Sequence, residues 1–102
     1  MTETVPVIRA NNRQRLAVAA RLRRAGQMAL CKVVNLSETG CKLKVVANFV
    51  AVGDGVSIKP DGLEAITGTV RWKDDGWLGV EFHNSIYLPV VDHLVRTNAS
   101  NP

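Results

Sequence analysis

The sequence predicts an all-β domain, a small six-stranded antiparallel β-barrel with a short C-terminal α-helix. Three observations predict it. Apolar and polar residues alternate along most of the chain, the period of a half-buried strand. The alternating runs are short and separated by regular turn signals, with none of the long crossovers that a parallel sheet requires. One late segment switches to three-and-four spacing, which is the helical period. A chain of 102 residues makes one domain of ordinary size. A barrel gives every strand one buried and one wet face, and closure removes the exposed edges that a flat sheet would carry.

The elements follow in order. Leu16, Val18, Ala20 and Leu22 alternate with Ala17, Ala19 and Arg21, which predicts a first strand over 16–23. "RAGQ" turns the chain, with Gly26 able to take a positive φ. Residues 28–34 predict a second strand and 41–46 a third, in which Cys41, Leu43 and Val45 face one way and Lys42 and Lys44 the other. "VGDG" interrupts the pattern and "VSIKP" resumes it, with Pro60 at an end or edge. "AITGTVRW" and "WLGVEF" flank "KDDG", a hairpin signal, and Leu78, Val80 and Phe82 share a face opposite Glu81. Leu88, Val91, Leu94 and Val95 then predict a helix over 88–96, with Pro89 in its first turn. The expected organisation is a flexible arm (1–12), a barrel domain with its helix (13–96) and a disordered polar tail (97–102).

Composition narrows the function. No apolar run approaches the ~20 residues that span a bilayer, and "MTETVPVIRA" lacks a signal peptide's order of charge and grease. Cys31 and Cys41 each fall inside an alternating apolar run without Cys-x-x-Cys or nearby histidines, so they read as buried reduced thiols and not as zinc ligands. The expectation is a soluble cytoplasmic protein without cofactor or metal. His83 and His93 show no nucleophile-plus-base arrangement, so an enzyme is not expected.

The net charge of +4 is unevenly spread. Between Glu3 and Glu38 there is no acid, while Arg9, Arg13, Arg15, Arg21, Arg23, Arg24 and Lys32 all fall there. A one-sided field of this kind favours an anionic partner. It equally describes a solvated face that keeps a chain soluble.

The stretch "NLSETG" separates the second and third strands. Asn35 and Ser37 are turn-formers whose side chains bond nearby backbone, and Gly40 can take a left-handed conformation, so a purely structural account is complete. A functional account is also available. Asn35 and Ser37, two apart at a strand end, would project from one side and offer an amide and a hydroxyl, and Gly40 would admit a ligand close to the backbone. Upstream, "RANNR" spaces Arg9 and Arg13 four apart with Arg15 just beyond, and guanidinium groups clamp phosphates and read guanine edges.

Arg-x-x-x-Arg followed by Asn-x-Ser-x-x-Gly in a small β-barrel resembles the PilZ domain. The closing "GTVRW" and "LGVEF" strands with a following helix resemble it too, and the likeness covers about residues 9–96. The resemblance implies a receptor for cyclic di-GMP in bacterial second-messenger signalling. Arg9 and Arg13 would take guanine edges and phosphates, and Asn35, Ser37 and Gly40 would line the opposite wall. Trp77 would either lie under a base or pack at the barrel rim against the helix. The register departs from the family in one respect. In many relatives the second arginine directly precedes the first strand's apolar run, and here that residue is Arg15, with Asn11 four before it. Either the arm carries two extra residues and Arg9 and Arg13 are the pair, or Arg15 occupies the site with a degraded partner. The output would pass to an unidentified downstream protein. Two alternatives stand beside this reading: a PilZ-like protein-interaction adaptor that does not bind the nucleotide, and a small nucleic-acid-binding barrel. The second is opposed by the five aromatic residues, which do not form a stacking row.

Overall fold

The computed structural model describes residues 14–98. It has strands β1 (Gln14–Arg24), β2 (Gln27–Leu36), β3 (Gly40–Val45), β4 (Gly55–Pro60), β5 (Ile66–Asp74) and β6 (Trp77–Phe82), followed by helix α1 (Leu88–Thr97). The strands close into a barrel in the order β1-β2-β3-β6-β5-β4, and every neighbouring pair is antiparallel. The predicted fold class is the observed one.

Alternation builds the barrel. In β1 the residues Leu16, Val18, Ala20 and Leu22 are buried and their neighbours are not. Leu43, Ile58, Val70 and Leu78 complete the interior from other strands. Two hairpins turn in two residues each. Ala25 (φ 49°) with Gly26 (φ 84°) joins β1 to β2, and Asp75 (φ 48°) with Gly76 (φ 87°) joins β5 to β6. Positive φ at both central positions is the type I′ geometry, whose twist matches that of the strands it connects. Arg24 reaches from the first hairpin to Asp54, with Nε to Oδ2 at 2.8 Å, and Asp54 also accepts the Ala51 amide at 2.8 Å. The hairpin end is thus clamped to the connection before β4.

Strands β1 and β2 extend past their predicted bounds at the bulges. β1 begins two residues earlier and β2 continues through Asn35 and Leu36, because ladder bonds persist past register shifts between Arg15 and Val18 on β1 and between Val33 and Asn35 on β2. These are β-bulges, which add a residue to one strand and increase its local twist. Helix α1 opens with Pro89 in its first turn and buries Val91 and Leu94 with the barrel core. Thr97 is still helical, and Asn98 caps the last turn by donating its backbone amide and its Nδ2 to the Leu94 carbonyl, each at 3.0 Å. The polar residues 97 and 98 therefore finish the helix, although the sequence pattern assigned them to a tail. No helix among the described residues is long and apolar enough to cross a membrane.

Candidate functional site

The loop that joins β2 to β3 is held by its own side chains. Ser37 is buried; its hydroxyl donates to the Gly40 carbonyl at 3.3 Å and accepts the Thr39 amide at 3.3 Å. The Ser37 amide donates to the same Gly40 carbonyl at 2.9 Å. The hydroxyl thus serves the turn, as the structural account of "NLSETG" expected.

Gly40 differs from expectation. It is not among the positive-φ residues, so a left-handed conformation is not what it supplies. It opens β3 opposite Glu81, and a Cβ on it would lie 2.5 Å from the Val80 carbonyl oxygen. The backbone that approaches Gly40 closely is the protein's own β6.

Asn35 stands on the outer surface of the sheet. It pairs in register with Arg15 on β1 and with Lys42 on β3, so the three form a row across adjacent strands. Arg15 is exposed and Asn35 half-buried. Beside the row, the Lys42 and Lys44 ammonium groups sit 4.6 and 4.8 Å from the Trp77 ring centre. Cations at such distances over an indole face are attracted by the ring quadrupole. Arg15, Lys32, Asn35, Lys42 and Trp77, over a floor that includes Leu16 and Val34, line a pocket of about 430 Å³. Trp77 is therefore an outer-face residue set among lysines.

Ser37 and Gly40 line a neighbouring cleft of about 280 Å³ with Thr39, Arg71, Trp72 and Glu81. Arg71 Nε pairs with Glu81 Oε1 at 2.7 Å across its mouth. The Trp72 indole covers the Gly79 backbone so closely that a Cβ there would overlap the ring. The structure thus brings Arg15 and Asn35 together in one pocket and sets Ser37 and Gly40 in the next. The separation arises where β2 ends at Leu36: Asn35 is still in the ladder, whereas Ser37 lies in the turn, buried and bonded to Gly40 and Thr39. Arg9 and Arg13 lie outside the described residues.

Sequence reasoning did not assign Lys32 and Lys42 to the pocket. The alternation that turned Lys42 and Lys44 away from Cys41 and Leu43 was visible, and pairing Asn35 with Lys42 was the missing step. The strands around the pocket carry charge of one sign. The contiguous strands β4, β1, β2 and β3 carry Arg15, Arg21, Arg23, Arg24, Lys32, Lys42, Lys44 and Lys59 and no acid. β5 and β6 carry both signs, Arg71 and Lys73 against Asp74 and Glu81. Elsewhere, burial pushes the Cys31 thiol up to about 11, which keeps it protonated and unreactive at neutral pH. His83 Nε2 shares a 3.0 Å hydrogen bond with the Thr69 hydroxyl. Among the described residues no group of three or more His, Cys, Asp or Glu is placed to hold a metal ion.

Fold and surface together define a closed antiparallel barrel with a cationic pocket on its outer face. The family model of the PilZ domain matches residues 8–97, and the chain belongs to that family, a family of cyclic di-GMP-binding adaptors. A search of curated proteins returned no match.

Proposed function

We propose that this chain is a cyclic di-GMP receptor that acts as a non-catalytic adaptor. The observation that carries the reading is the Arg15–Asn35–Lys42 row beside Trp77, on four contiguous strands whose own residues include no Asp or Glu. A ligand with two phosphates and two guanines suits such a surface. The cations take the phosphates, the Asn35 amide supplies a donor and an acceptor to a base edge, and the indole offers a stacking face. The family match begins at residue 8, so Arg9 and Arg13 both fall within it, immediately upstream of the strand that carries Arg15.

In this mechanism the ligand gathers the segment bearing Arg9 and Arg13 over the pocket, and the rearranged surface is read by a partner protein. Ordering that segment opposes binding, so affinity reflects the contacts less the entropy of the arm. A hydrogen bond to a charged group contributes about 1.5–3 kcal/mol, and each ~1.4 kcal/mol is a decade in affinity. Arg13→Ala should therefore weaken binding at least about tenfold by titration calorimetry, with GMP as the control ligand. Parent-like affinity in Arg13→Ala would show that the arginine pair is not part of the site. Absence of any cyclic di-GMP binding by the parent chain would overturn the receptor reading.

A further inference from the structure

We propose that a groove across the outer face of β2 and β3 docks an acidic, amphipathic segment of a partner protein. Leu30 is 72% exposed and Val46 89% exposed. With Val34 and Trp77 they line a groove of about 580 Å³, rimmed by Lys32 and Lys44. Isolated exposed apolar residues are ordinary, but a continuous apolar trough in a small domain marks a contact surface.

The charges around the groove identify the occupant. Lys32 faces Lys44 directly across the β2–β3 ladder, and Arg21, the register partner of Leu30 on β1, faces Lys59 on β4. Like charges placed opposite one another destabilise a sheet. Arg21, Arg23 and Lys32 have no acidic partner among the described residues. The surface therefore retains repulsions that nothing within these strands relieves, around a floor that water solvates poorly. Carboxylates flanking two or three apolar side chains would answer both features at once. A second copy of this chain would set cations against cations. A nucleic-acid backbone would satisfy the cations but leave Leu30 and Val46 without a partner, and Trp77 alone makes no stacking row.

This groove and the pocket at Asn35 share Lys32, Val34 and Trp77. The linkage that follows rests on the proposed function. Two anionic occupants compete for the same side chains, so cyclic di-GMP should lower the affinity for the acidic segment, and by reciprocity the segment should lower that for the dinucleotide.

The test is selection of displayed random peptides on the full chain, followed by fluorescence polarisation with the enriched sequences. The expected winners carry acidic residues around an apolar pair, and lose at least about tenfold in affinity to Leu30→Ser and to Lys44→Glu. Both positions are exposed, and unchanged thermal unfolding checks the fold of each variant. No enrichment, winners without an acidic bias, or affinity indifferent to Leu30→Ser would overturn the proposal. Binding of a short DNA duplex that falls with Arg21→Glu and ignores Leu30→Ser would overturn it in favour of nucleic acid, and Leu30-dependent self-association would overturn it in favour of a second copy. Saturating cyclic di-GMP should weaken peptide binding about fivefold or more. Peptide binding without any cyclic di-GMP binding would sink the receptor reading and leave the groove standing. Independent binding of both would sink the linkage alone.

Discussion

Gly40→Ala separates a structural from a ligand-contacting role for the glycine in "NLSETG". A Cβ at this position would stand 2.5 Å from the Val80 carbonyl oxygen, and real Cβ contacts essentially never fall below 3.0 Å. The difference, 3.0 less 2.5, means that β3 and β6 must part by at least 0.5 Å at the Gly40–Glu81 pair. The obstructing atom is backbone, so no side-chain rotation relieves the clash. The nearby bond from the Phe82 amide to the Thr39 carbonyl, 2.8 Å long, is stretched by the same movement. Overpacking of this order costs about 1–3 kcal/mol. At about 4–8 °C per kcal/mol for a domain of this size, Tm should fall by roughly 5–20 °C. The assay is thermal unfolding by circular dichroism, paired with cyclic di-GMP titration at a temperature where the variant is fully folded. Loss of stability with near-parental affinity is expected. A parental Tm together with abolished binding would refute the reasoning, because the glycine would then be serving the ligand and not the ladder.

Other outcomes are expected on the same grounds. Ser37→Ala removes the hydroxyl that both donates to Gly40 and accepts from Thr39, and should cost about 1 kcal/mol in chemical denaturation; an unchanged midpoint would show that the turn does not need it. Ala25 holds φ 49° with a side chain that disfavours it, so Ala25→Asn should raise Tm by a few degrees, given that left-handed strain in a non-glycine residue costs about 1 kcal/mol. The Cys31 thiol ionises near 9.0 when unfolded and about 11 when folded. The folded chain therefore binds more protons than the unfolded chain across that window, and this contribution to stability, complete below pH 9.0, is lost as pH rises towards 11. Comparing the pH profile of the parent with that of Cys31→Ala should show the steeper alkaline decline in the parent, and parallel profiles would contradict the burial argument.

The barrel was legible because its signal is repeated. Six runs of alternating side chains each specify a face independently, and β6 shows the economy of it: Leu78, Val80 and Phe82 inward, Glu81 outward. The helix was legible from Leu88, Val91 and Leu94, though its last turn depends on Asn98 bonding back to Leu94, a local contact that no period announces. The pocket was legible in part. Arg15 and Asn35 stood out by type, yet the row they form with Lys42 depends on cross-strand register, and register is displaced here by bulges on β1 and β2. A parity argument carried straight through Val34 puts Asn35 and Ser37 on one side. Parity stops with the strand at Leu36, however, so the amide stays in the ladder while the hydroxyl turns in with the loop. Gly40 illustrates a different gap: its type was conspicuous, but the atom it makes room for belongs to a strand some forty residues later.

The two described ends of the chain leave the barrel side by side. The Ala17 amide, inside the first bulge, donates to the Asn98 carbonyl at 2.8 Å, and Gln14 Nε2 reaches Asp92 Oδ1 at 3.3 Å. A fold whose entry and exit adjoin can be spliced into a surface loop of a host enzyme without prising that loop apart. This junction abuts Arg15, so a host joined there would sit beside the pocket that Arg15 lines.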